Sequence, residues 1–106
     1  MDAFELRDLD NDRAAAGRLY EEFLRVPAMS MGLYVLEAGA ADPQSPHSED
    51  EAYIVMAGRA VIDVDGEDRP VGPGSVVFVA AQVPHRFHSI SRRLEVLVVF
   101  APAETG

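Results

Sequence analysis

The chain has 106 residues and no cysteine, the length of one domain, which excludes a disulfide framework and any thiolate metal site. A net charge of −9 argues against a nucleic-acid partner, because phosphate binding needs a basic patch and only Arg92 and Arg93 are adjacent. The acidic start, Met1-Asp2-Ala3-Phe4-Glu5, is unlike a signal peptide, and no apolar run is long enough to cross a membrane, so the expected setting is cytoplasmic.

In chain order, Phe4-Glu5-Leu6 reads as an edge strand. Arg13 to Arg25 has helical composition that ends at Pro27, so residues 1–28 are expected to form a strand and a short helical or irregular covering segment. The expected barrel occupies residues 29–102, all within one domain. Met29, Met31, Leu33 and Val35 share one parity and are expected to face its interior. Gly39 to Pro46 reads as a loop. Glu51 to Ala57 is the next strand, ending at Gly58, and Arg59 to Asp65 follows. Asp65-Gly66 is a hairpin signal, and Gly72-Pro73-Gly74 marks another turn before Ser75 to Ala81. Arg86 to Ser89 and Leu94 to Ala101 are the last strands. About seven short strands with close turns predict an all-β fold, a single antiparallel β-barrel or jelly roll.

The histidines are His47, His85 and His88. His47 and Glu51 are four residues apart at a strand entry, an even separation that places both side chains on one face. His85 comes from a later strand. Each alone is an ordinary polar residue: His47 and Glu51 lie in an acidic stretch, and His85 follows Pro84. Together they offer two imidazoles and one carboxylate, a set that holds Fe(II), Mn, Ni, Co or Zn with positions left open. Tyr53, on the parity of Glu51, is the candidate catalytic residue that orients a substrate, and Phe87 shares the parity of His85. Glu49 and Asp50 read as solvated, and His88 as a surface residue. Asp8-Leu9-Asp10-Asn11-Asp12 begins like a calcium loop, but Arg13 stands where the required Gly belongs.

The spacing resembles the cupin family's two motifs. The first runs Gly, five residues, His-x-His, three or four residues, Glu, six residues, Gly; here Gly39, Ser45-Pro46-His47, Glu51 and Gly58 fall in that register. The second runs Gly, five residues, Pro-x-Gly, two residues, His, three residues, Asn; here it is Gly74, Ala80-Ala81-Gln82, His85 and Ser89. Ser45 stands where the first motif histidine belongs, and Gln44 or Ser45 is the candidate for a replacement oxygen.

The resemblance implies a divalent metal held by His47, Glu51 and His85, in a metal-dependent enzyme acting on a small organic molecule, most plausibly a dioxygenase. Isomerase or lyase chemistry is the other enzymatic outcome. The alternatives are a non-catalytic small-ligand-binding or sensing cupin with a degenerate metal site, and an empty remnant. It also implies a homodimer, with Phe4-Glu5-Leu6 the candidate to cross to the partner.

Overall fold

A computed structural model describes residues 1–44 and 46–105. Its elements are α1 (Leu6–Ala15), β1 (Tyr20–Val26), β2 (Met29–Leu36), β3 (Asp50–Val64), β4 (Glu67–Val71), β5 (Val76–Val79) and β6 (His85–Ala101). The N-terminal expectation is corrected in both parts. Phe4 to Leu6 is not a strand: Leu6 opens α1, and Phe4 packs edge-on against Phe23 at 4.9 Å. The second half of the stretch read as helical is instead β1, paired with β2. Its period of two is broken by a register shift between Glu22 and Leu24, which hides the strand from a reading by alternation.

All strand pairs are antiparallel, in the order β1-β2-β6-β3-β4, with β5 on the first part of β3. The expected all-β roll is present. Among the described residues β1 and β4 end the path without pairing to each other, so hydrogen bonding does not close the barrel. Its interior is filled by side chains including Leu36, Tyr53, Ile62, Phe87, Leu94 and Val96.

Two of the expected breaks are absent, because β3 runs through Gly58 and β6 runs through Ser91 to Arg93. The β3–β6 ladder extends from Asp50↔Ala101 to Val64↔His85. Fourteen steps of straight strand would span about 46 Å, yet the longest dimension of the whole molecule is 37 Å. The ladder therefore folds back on itself. The bend falls where its register shifts, between Val55 and Val61, around Gly58. Gly58 has φ +98°, and a Cβ there would lie 2.2 Å from the Arg93 carbonyl oxygen. Only glycine admits both the dihedral and the close approach.

The faces of β2 are also the reverse of the expectation. Leu33 and Val35 pack outward under α1 with Leu9 and Phe23, whereas Tyr34 and Leu36 join the interior. Ser30 and Gly32, on this inner parity, have specific partners. Glu104 donates its backbone N–H to the Ser30 hydroxyl at 2.9 Å, and the Tyr20 ring lies where a side chain at residue 32 would stand.

Candidate metal centre

The fold-back brings opposite ends of the ladder together. Glu51 enters β3 with its side chain inward, and His85 opens β6. Their side chains meet at 2.9 Å between Nε2 of His85 and Oε1 of Glu51. The loop before β3 supplies His47, whose carbonyl accepts the Gln82 N–H at 2.7 Å and so ties the two ligand-bearing loops. One donor atom from each of His47, Glu51 and His85 lies within 4.8 Å of the others. Glu51 is 2% exposed and His85 7% exposed.

The donor set fits a cation. Among the described residues neither oxygen of Glu51 has a hydrogen-bond partner, and neither does Nε2 of His85; the 2.9 Å contact between them is close without being an aligned hydrogen bond. Buried polar atoms without partners are costly, and three converging on one point match what a divalent ion needs. Burial pulls the His85 pKa down, but Glu51 and the Val83 carbonyl outweigh it and hold it above the ordinary imidazole value.

Gln44 lies beside the triad in a fixed orientation. Its amide donates to Asp42 Oδ2 at 2.7 Å, so its oxygen faces the other way, accepting the Tyr53 hydroxyl at 2.7 Å and lying 3.3 Å from Nε2 of His47. Asp42 also accepts the Tyr34 hydroxyl at 2.5 Å and the Phe87 N–H at 2.8 Å. Ser45, the other residue considered for this role, lies outside the described residues.

The centre opens on a cavity of about 170 Å³, walled by Tyr20, Tyr34, Val98 and Phe100, with His47, Glu51 and Glu104 among its polar residues. No Arg lines it. Tyr53, expected to face a substrate, is fully buried and is not in the cavity wall; its hydroxyl holds Gln44. Tyr20 lies in the wall, with a buried hydroxyl that has no hydrogen-bond partner. Burial, then the carboxylates of Glu104 and Glu22, push its pKa upward, so it is a donor at neutral pH. Met29, Met31 and Leu33, expected in the wall, are not part of it.

The remaining acidic and imidazole residues divide. Asp50 is exposed and accepts the Ala81 N–H at 2.9 Å. Glu49, expected to be solvated, is buried and accepts the Thr105 hydroxyl at 2.8 Å. His88 stays away from the triad, with Nε2 2.8 Å from Asp68.

A bent antiparallel roll with two imidazoles and a carboxylate converging inside it defines a double-stranded β-helix with a candidate metal centre. Residues 32–100 match the cupin domain family, and the chain belongs to that family. It is 52% identical over 105 residues to an uncharacterized protein of Streptomyces coelicolor, covering 99% of this chain and 100% of that one. Among solved structures, KdgF from Halomonas sp. superposes with a TM-score of 0.72 at 19% identity, covering 78% of this chain and 76% of that one. An RmlC-like cupin of Methanocaldococcus jannaschii gives 0.71 at 24% identity, covering 78% of each. The DMSP lyase DddQ of Ruegeria pomeroyi gives 0.70 at 23% identity, covering 83% of this chain and 49% of that one. These likenesses show the fold.

Proposed function

We propose that the chain is a metal-dependent enzyme acting on a small organic molecule, with dioxygenase chemistry the leading reading and isomerase or lyase chemistry the second. The observation that carries it is the convergence of unpartnered, buried Glu51 and His85 atoms with His47 at the mouth of a small, mainly apolar cavity. His47, Glu51 and His85 would hold the metal; bound there, an Fe(II) supplies redox chemistry with dioxygen, and other divalent ions supply Lewis acidity. The aromatic walls exclude water around the reacting group. Tyr20 donates a hydrogen bond to a substrate oxygen, and Asp42 and Tyr53 keep the Gln44 oxygen turned toward His47. With Glu51 and Glu104 present and no Arg in the wall, the cavity suits a neutral oxygen-bearing molecule better than a phosphate or free carboxylate.

Elemental analysis of protein purified without chelator, with oxygen uptake on aromatic, thiol and diketone substrates, tests this reading. One equivalent of metal, lost in His85→Ala together with turnover, is expected. Full metal occupancy in His85→Ala would overturn the ligand assignment. Stoichiometric metal with tight ligand binding but no turnover would favour the non-catalytic sensing module.

A homodimer belongs to the same proposal. Val76 and Phe78 on β5 are 69% and 65% exposed, opposite Ile54 and Ala52 of β3, and β5 has a free edge among the described residues. A second copy fits such an apolar edge. A monomer by size-exclusion chromatography would count against it. A cytoplasmic setting belongs to the same proposal; no helix of the described residues is long and apolar enough to cross a membrane.

A further inference from the structure

Both candidate histidine ligands have an acceptor beside Nδ1. For His85 the partner is the Val83 carbonyl, at 2.9 Å. For His47 it is the carboxylate of Glu104, at 3.1 Å, in a segment that follows β6 and belongs to neither cupin motif. That segment is anchored on several sides. Glu104 N–H donates to the hydroxyl of Ser30, which is fully buried, and the Glu104 carbonyl accepts from Arg25 at 2.5 Å. Thr105 donates to buried Glu49 at 2.8 Å, and Ala103 is itself buried. A residue held this firmly keeps its carboxylate where it is.

We propose that Glu104 is the positioning residue for His47: its carboxylate competes with the neutral Gln44 oxygen, 3.3 Å from Nε2, for the single imidazole proton, draws it to Nδ1, and so frees Nε2 to ligate beside Glu51 and His85. The inference rests on the metal reading above. A neutral imidazole carries one N–H, and the hydrogen bond made by one nitrogen decides which of the two is free to ligate. Nε2 of His47 already lies 3.9 Å from Glu51 Oε1, so the ring is aimed before any ion arrives. The Ser30 and Glu49 contacts then have a purpose beyond tying down a chain segment, since they hold the carboxylate that orients the ligand. Among the described residues Glu104 makes no hydrogen bond to Glu51 or His85, so its effect on the ligand set runs through His47.

The experiment uses the full chain as wild type, Glu104→Ala and Glu104→Gln, with Zn²⁺ as probe. Competition against a chromophoric chelator gives affinity, and long-range 1H–15N spectra of the metal-free protein, at a pH where the imidazole is neutral, give the His47 tautomer. Wild type is expected to bind one Zn²⁺ and to show the Nδ1–H form. Glu104→Ala should weaken binding by about 10- to 100-fold and mix the tautomers. Glu104→Gln, whose amide oxygen still accepts, should recover most of both. Unchanged tautomer and affinity in Glu104→Ala would overturn the assignment of Glu104 while leaving the metal reading intact. A wild-type chain that takes up no Zn²⁺ would overturn the metal reading, and the tautomer would still decide whether Glu104 sets the ring. A thermal melt of each variant keeps a folding defect from being counted as a ligand effect.

Discussion

Replacing Gly58 by Ala probes the bend that assembles the centre. The new Cβ would sit 2.2 Å from the Arg93 carbonyl oxygen and 2.6 Å from the Leu94 Cα. Both are backbone atoms of β6, so no side chain can rotate away, and β3 and β6 must separate at their fold. Holding a non-glycine residue at positive φ costs about 1–2 kcal/mol, and overpacking adds about 1–3 kcal/mol. With backbone on both sides of the clash the sum belongs near the top, about 3–5 kcal/mol, a large share of the ~5–15 kcal/mol available to a domain. At an unfolding entropy of about 2 cal/mol/K per residue, this is a fall in Tm of roughly 14–24 °C. Gly74→Ala is the control: its φ is +90°, but a Cβ there meets nothing within 4 Å, so only the conformational cost of about 1–2 kcal/mol applies. Calorimetry on both variants, with zinc binding measured on whatever remains folded, reads the comparison. A Gly58→Ala melt no lower than that of Gly74→Ala, or undiminished zinc affinity in it, would refute the claim that close approach at Gly58 builds the site.

Tyr20→Phe should leave the ligand-free melt unchanged or raise it by up to about 1 kcal/mol, because the hydroxyl removed is buried and has no partner; a clear loss of stability would show that the hydroxyl is satisfied. The same variant should weaken binding of any oxygen-bearing ligand found for the cavity, measured by calorimetric titration. Asp10 supplies the pH dependence away from the site. Burial raises its pKa, but hydrogen bonds from Arg13 and Arg93 outweigh this and hold it below the usual carboxylate value. Its contribution is therefore complete above the unfolded pKa of ~3.9 and is lost as pH falls through the folded value. Chemical denaturation of wild type against Asp10→Asn should show a difference below about 1 kcal/mol near pH 6, shrinking toward zero in stronger acid; a gap that widened on acidification would contradict it.

The motif glycines explain why so much was legible. Gly39, Gly58 and Gly74 all have positive φ, so the spacing that identifies the family records where the backbone must turn. Asp65 and Gly66 do the same for the β3–β4 hairpin, with φ of +52° and +85°. Hydropathy was a poorer guide to β2, because α1 covers its outer face and makes that face apolar too. Its inner parity carries Ser30 and Gly32, whose reasons for being there are Glu104 and Tyr20, distant in sequence. Tyr20 itself was hidden by the bulge in β1, and Glu104 is one acidic residue with no motif around it. Neither has a local signal; their roles exist only after the sheet brings residue 30 beside residue 104 and residue 20 over residue 32.

The serine in place of the first motif histidine bears on whether the centre is a remnant. In a decayed site the remaining polar residues would have no reason to stay organised, and apolar replacement of a buried charge is often neutral or stabilising. Here the organisation reaches well beyond the three ligands. Asp42 gathers donors from Tyr34, Gln44 and the Phe87 backbone, and the amide it orients presents its oxygen to Tyr53 and His47. Glu51 remains an almost wholly buried carboxylate with both oxygens unpartnered among the described residues, a costly group to retain in an empty barrel. The supporting residues come from separate stretches of chain: β2, the loop before β3, β3 itself, β6 and the segment after it. Under the proposed metal reading, that distribution favours a centre of three protein ligands beside an oriented amide over an empty remnant.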